Sequence, residues 1–313
     1  SGCVTACAAA AITLNVAACM TGTDSERIAQ LPDTDGMHSR AVMQAGHRIS
    51  FGAPVAQMVR LSGAEVLTAG DEAGCSRDDI ARAFDTDRLA CVVAVESYHT
   101  VDYPGLPLPE LIQIARDAGV PVVVDAATQE LRLREIVAMG PDLVGCSAHK
   151  YFGSTTAGIV AGRAHLVDAV LAQGRGIGRG MKVGKEGIFG VLAAWDTPMQ
   201  RETDVWCADE RRKCEWVAET LSRVPGLSPT LSPDPNGCPF ERVRVGIDES
   251  VTGHTAQSLR AALAAGAPAV HVRVYGRDPG AFYMNTTELH EGELPTVCRM
   301  IAQCLGDRRP DYR

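Results

Sequence analysis

Lysine is nearly absent from this chain. Of thirty lysine and arginine residues, only Lys150, Lys182, Lys185 and Lys213 are lysines. Chemistry that needs a primary amine rather than a guanidinium therefore has four candidates. Apolar runs of the roughly 20 residues that cross a bilayer are also missing, which predicts no membrane span. The opening SGCVTACAAAAITLNVAACM is apolar, but no basic stretch precedes it, so it does not read as a secretory leader. No CxxC pair occurs among the 11 cysteines, whose spacing is irregular. That excludes paired zinc ligands and a disulfide framework, and it predicts reduced, buried thiols in a cytoplasmic protein. Positive charge is in deficit too. A net charge of -8 argues against a nucleic-acid binder whose affinity comes from phosphate contacts. Internal repeats and low-complexity tracts are lacking.

What is present is a large globular chain. Its 313 residues, 46% apolar and 22% charged, suit one large domain and a smaller one. Strand signals fall at residues 41–43, 65–68, 89–95, 120–124 and 142–146, with helix patterns at 55–61, 78–84 and 108–118. The run VPVVV before Asp125 does not alternate, as expected of a parallel strand covered on both faces. Strand and helix in turn predict a doubly wound α/β sheet. Residues 3–20 read as a buried alanine-rich helix ending at Gly22. Residues 185–224 read as mostly helical with a break near Thr197–Pro198. After the turn-rich LSPDPNGCP, alternating FERVRVGI, a helix at 255–265, AVHVRVY, GAFYM and a helix at 294–305 predict a small α+β domain. The expected division is 1–195, a link at 196–235, and 236–313.

Ligands of an open parallel sheet bind beyond the carboxyl ends of its strands. Asp125 ends such a strand, where a carboxylate could orient a metal, pair with a cation or cap the following helix. Lys150 follows the next strand and reaches the same rim, and a desolvated lysine is a Schiff-base nucleophile. Ser147 and His149 beside it offer a hydroxyl and an imidazole to a phosphate. SGCVT precedes a helix, whose first amides form an anion site. An amine, an acid and an anion pocket together fit pyridoxal 5'-phosphate, with no metal expected. The stretch GRGIGRGMKVGKEG is basic, but it has neither the Walker A nor the dinucleotide glycine spacing. It is either a solvated loop or an anion-binding segment.

The stretches AACMTGTD, AGHR, LSGAEVL, VPVVVDAA, SAHKYFG, AGIVAGR, GIGRGMKVGKEGIFGVLAA and FYMNTTELHEGE occur in family order. Through them the chain resembles fold-type I pyridoxal-phosphate enzymes, in the branch of selenocysteine synthase and D-glucosaminate-6-phosphate ammonia-lyase. The resemblance implies a mostly parallel seven-stranded sheet sandwiched by helices, as in aspartate aminotransferase, with a small C-terminal α+β domain. It implies that Lys150 is the Schiff-base lysine and moves the Cα proton, that Asp125 pairs with the ring nitrogen, and that His47 stacks on the ring. Ser147, His149 and the backbone of Gly2, Cys3, Val4 and Thr5 would hold the phosphate. Arg273 would bind the substrate carboxylate. Arg179, Lys182 and Lys185 are further substrate-binding candidates, and the family builds its sites between two subunits, which implies a homodimer or larger homo-oligomer.

The chain also departs from this branch. YFGSTTAG follows the lysine where many relatives have GGPQ, in a loop that bears on substrate choice. A half-domain that most relatives carry ahead of SGC is not in this numbering, and a missing N-terminal segment is expected. Its absence and the acidic charge argue against a tRNA substrate. The implied chemistry is β-elimination or β-replacement on a small amino acid. Racemisation and transamination are the alternatives within the enzyme reading, and a non-catalytic binding protein of this fold is the alternative outside it.

Overall fold

The computed structural model describes residues 1–195, 203–287, 289–290 and 292–306. The helix break expected near Thr197–Pro198 lies outside the described residues. The chain divides into two compact units, Ser1–Gln200 and Arg201–Arg313.

The first unit is built on a seven-stranded sheet. Its strands are β1 (Gly2–Thr5), β2 (Arg40–Gln44), β5 (Glu65–Ala69), β6 (Leu89–Val95), β7 (Val122–Asp125), β8 (Leu143–Ser147) and β9 (Gly158–Gly162). A two-stranded hairpin of β3 (Ser50–Phe51) and β4 (Ala53–Pro54) stands apart from it. The strand order is β1-β9-β8-β7-β6-β2-β5, and β9 alone runs against the others. Val122 and Val124 face one buried cluster and Val123 the other, which explains the unbroken valine run in β7.

Helix α1 (Ala8–Thr21) lies in the cluster that holds Val123, and it is buried around almost its whole circumference. Its alanines permit close approach to the sheet. A Cβ at Gly145 of β8 would come within 3.0 Å of the Ala11 methyl. The opposite face is covered by the helices Arg77–Phe84, Leu108–Asp117 and Leu133–Ala138.

One expectation fails at the start of the chain. Residues 3–5 were expected in the helix, but Gly2–Thr5 pair with β9, opposite Gly158 to Ala161. Alanine-rich composition hides the change, because Cys3 and Val4 suit a buried strand as well as a buried helix.

The second unit has a four-stranded antiparallel sheet of order β10-β11-β13-β12, made of β10 (Leu227–Pro233), β11 (Glu241–Ile247), β12 (Arg273–Tyr275) and β13 (Asp278–Met284). The helices Thr203–Ser222, Ala256–Ala264 and Leu294–Cys304 close its own core around Leu221, Val243, Leu259, Phe282 and Ile301. The segment expected as a link, 196–235, thus contributes a helix and a strand to this unit. β10 holds Pro229 and Pro233, which conceal it in the sequence and are tolerated because it is an edge strand. AVHVRVY is a strand only from Arg273 onward. Among the described residues, no helix is long and apolar enough to cross a membrane.

Candidate active site

The carboxyl ends of β6, β7 and β8 meet in register. Val95 lies opposite Asp125, and Asp125 opposite Gly145. Asp125 is the last residue of β7 and is buried. The next turn folds back so that the Ala127 amide donates to Asp125 Oδ1 at 3.1 Å. The carbonyl of the same residue accepts from Lys150 Nζ at 3.1 Å and from the Ser147 amide at 3.3 Å. A single residue therefore ties the acid, the amine and the serine to one another. Burial pushes Asp125 up to about 6. The Ala127 amide and the Lys150 charge pull the other way without cancelling that effect.

His47 ends the short turn Ala45–His47 after β2. Its Nδ1 accepts from the Val95 amide at 3.1 Å, so its ring proton is on Nε2. Burial lowers its pKa to about 4, which keeps the imidazole neutral. Tyr103 packs edge-on to it, with centroids 6.5 Å apart, and its hydroxyl donates to the Asp71 carbonyl at 2.9 Å. Tyr103 also covers Gly46, where any side chain would strike its ring. Tyr103 carries no sequence signal of this role, because nothing in its spacing ties it to residue 46.

The start of α1 adjoins this cluster. Gly158 of β9 lies opposite both Thr5 and Ser147. A Cβ at Gly158 would come within 2.5 Å of Thr5 Oγ1 and 2.6 Å of the Cys7 carbonyl carbon. The glycine thus lets the start of α1 close onto the rim beside Ser147. Cys7 is the N-cap; its Sγ accepts from the Ala10 amide and its carbonyl from the Ala11 amide. The first-turn amides of Ala8 and Ala9 have no partner within the helix. Gly2, Cys3, Val4 and Thr5, whose amides are expected to hold the phosphate, form the edge strand β1 just ahead of this helix start.

The structure therefore brings together His47, Asp125, Ser147 and Lys150. His149 is exposed at the turn before Lys150. Arg179, Lys182 and Lys185 are exposed on the turn Ile177–Met181 and at the start of the helix Lys185–Trp195. That helix packs on the segment after Lys150, where the Thr155 hydroxyl donates to the Glu186 carbonyl at 3.3 Å. Arg273 belongs to β12 of the second unit, opposite Tyr283.

The donor set fits pyridoxal 5'-phosphate. The buried Asp125 carboxylate calls for a cation, which a protonated ring nitrogen supplies. The Lys150 amine is held by the carbonyl of Ala127, two residues after Asp125. The Gly158 cradle offers helix amides and a hydroxyl to a dianion.

Comparisons with known proteins agree. Residues 37–180 match the family model described as aminotransferase class-V. The chain is 36% identical over 301 residues to a 5'-C-glycyluridine monooxygenase-decarboxylase of Streptomyces sp, covering 96% of this chain and 75% of the relative. It is 34% identical over 307 residues to the D-glucosaminate-6-phosphate ammonia lyase of Salmonella typhimurium, covering 97% and 82%. A solved D-glucosaminate-6-phosphate ammonia-lyase superposes with a TM-score of 0.83 at 33% identity, over 97% of this chain and 81% of that one. An archaeal O-phosphoseryl-tRNA(Sec) selenium transferase shares the fold, with a TM-score of 0.63 at 11% identity over 96% of this chain and 70% of that one.

Proposed function

This chain belongs to the class-V aminotransferase family of pyridoxal-phosphate enzymes, and from that premise we propose that it is a lyase or transferase for a small amino acid with a leaving group on Cβ. When bound, the cofactor supplies an electron sink conjugated to the substrate Cα. The other roles fall to this chain's own residues. Asp125 holds a proton on the ring nitrogen, and its buried position makes that ion pair strong. His47 presents a neutral ring beside it. Ser147 and the amides of Ala8 and Ala9 hold the phosphate. Lys150 would anchor the cofactor through its amine, and the same Nζ, once free, would take the proton from the substrate Cα.

The observation that carries this reading is the Ala127 clamp, which fixes the proton-moving amine and the buried acid on one short turn. Arg273 is proposed to receive the substrate carboxylate, and Arg179, Lys182 and Lys185 a second anionic group. These assignments rest on the family resemblance and on charge. A homodimer is proposed as well, supported by exposed Phe189, Leu192 and Trp195 along the helix Lys185–Trp195.

Two relatives with different reactions match at similar identity, so product analysis decides between them. Incubation with hydroxy- and phospho-substituted amino acids in D2O is expected to release ammonia and a keto acid labelled with deuterium. Carbon dioxide release with oxygen uptake would favour a decarboxylating oxygenase instead. Loss of chirality without a keto acid would make the enzyme a racemase.

A further inference from the structure

Glu130 is only 7% exposed, and no side chain donates a hydrogen bond to its carboxylate. It opens the short turn Glu130–Arg132 after β7, and the backbone bonds Gln129 N–H to Ala126 O and Arg132 N–H to Gln129 O, both 2.9 Å, hold that turn in place. Arg132 is directed elsewhere, to Glu135 Oε1 at 2.7 Å and Gln129 Oε1 at 3.4 Å. The groups that face Glu130 from other elements are the Lys150 ammonium, the amides of Lys150 and Tyr151, and the Cys146 thiol on β8. Burial raises the Cys146 thiol so far that it stays neutral. Among the described residues, Lys150 is the cation whose charge acts on Glu130. Burial pushes Glu130 up to about 7 against the pull of its own amide, the Lys150 charge and the amides of Lys150 and Tyr151, so either protonation state is accessible near neutrality.

We propose that Glu130 is a positioning residue that supplies the negative charge opposite Lys150 whenever the Lys150 nitrogen carries a proton. The proposal rests on the reading above, in which Lys150 takes the substrate's α-hydrogen. In that step the Cα–H bond breaks and its electron pair passes into the conjugated ring. The proton forms a new N–H bond on Lys150 Nζ, and the nitrogen goes from neutral to cationic. A nearby buried carboxylate favours that change, and an uncharged side chain of the same shape does not.

The test is Glu130→Gln in the holoenzyme, with three readouts. Borohydride reduction is expected to fix the cofactor on Lys150 as in the wild type. The pH midpoint of the cofactor's visible absorbance is expected to fall by about one unit, because a nearby negative charge no longer stabilises the proton at that nitrogen. Exchange of the α-hydrogen of a bound amino acid in D2O is expected to slow about tenfold or more. In a second variant, Glu130→Ala, formate is expected to restore exchange and formamide is not.

An unshifted midpoint with wild-type exchange in Glu130→Gln overturns the proposal, even if that variant melts at lower temperature. Equal rescue by formate and formamide overturns it too. A wild-type enzyme that labels on Lys150 yet exchanges no α-hydrogen contradicts the lyase reading, while the midpoint shift still decides the role of Glu130.

Discussion

Asp125→Asn is expected to make the cofactor-free protein more stable while making the enzyme much slower. Burial raises the Asp125 carboxyl from its ordinary 3.8 to about 6 in the folded chain. That shift corresponds to about 3 kcal/mol against the charged form. Below pH 3.8 both folded and unfolded chains hold the proton, so the residue costs nothing. Between 3.8 and about 6 the unfolded chain ionises first, and stability falls as pH rises. Above about 6 the full cost of about 3 kcal/mol is in place. Asparagine keeps an oxygen for the Ala127 amide and removes the charge.

The melting temperature of the cofactor-free variant should therefore match the wild type near pH 4. By pH 7 it should exceed the wild type by roughly 6 to 12 °C, for about 3 kcal/mol in a unit of this size. In the loaded enzyme the ring nitrogen compensates the carboxylate, so the gain should shrink there. The rate should fall about a hundredfold or more, as when one charge-stabilising group is lost from a transition state. Melting curves of both proteins from pH 4 to 8 test the reasoning. A pH-independent difference, or a wild type that is more stable at pH 7, would refute it.

Lys150→Ala should abolish the cofactor's visible absorbance and lower the rate by at least about a hundredfold, as measured by spectroscopy and product assay. His47→Gln should show the opposite pH trend to Asp125→Asn. The unfolded chain takes up a proton near 6.5, which the buried imidazole refuses until about 4, so the wild type loses up to about 3 kcal/mol relative to the variant as pH falls through that window. Gly158→Ala should cost roughly 1 to 3 kcal/mol by overpacking, because its Cβ meets backbone at Cys7, and it should weaken cofactor binding in a fluorescence titration.

The sheet was largely legible because strands buried on both faces leave unmistakable runs such as VPVVV, and the rim position of Asp125 and Lys150 followed from strand order. What stayed hidden depended on partners remote in sequence. β1 reads as helix because partly buried Cys3 and Val4 suit either state, and its partner β9 lies about 155 residues away. β10 is masked by prolines that only an edge position permits. Glu130 looks like an ordinary first-turn acid, since the Lys150 and Tyr151 groups that act on it are remote in sequence.

Hydride reduction of the purified enzyme, followed by digestion and mass spectrometry, tests the central assignment most directly. The account predicts one pyridoxyl-phosphate label, carried by the peptide that contains Lys150. A label on Lys182, Lys185 or Lys213, or none on any peptide, would contradict it.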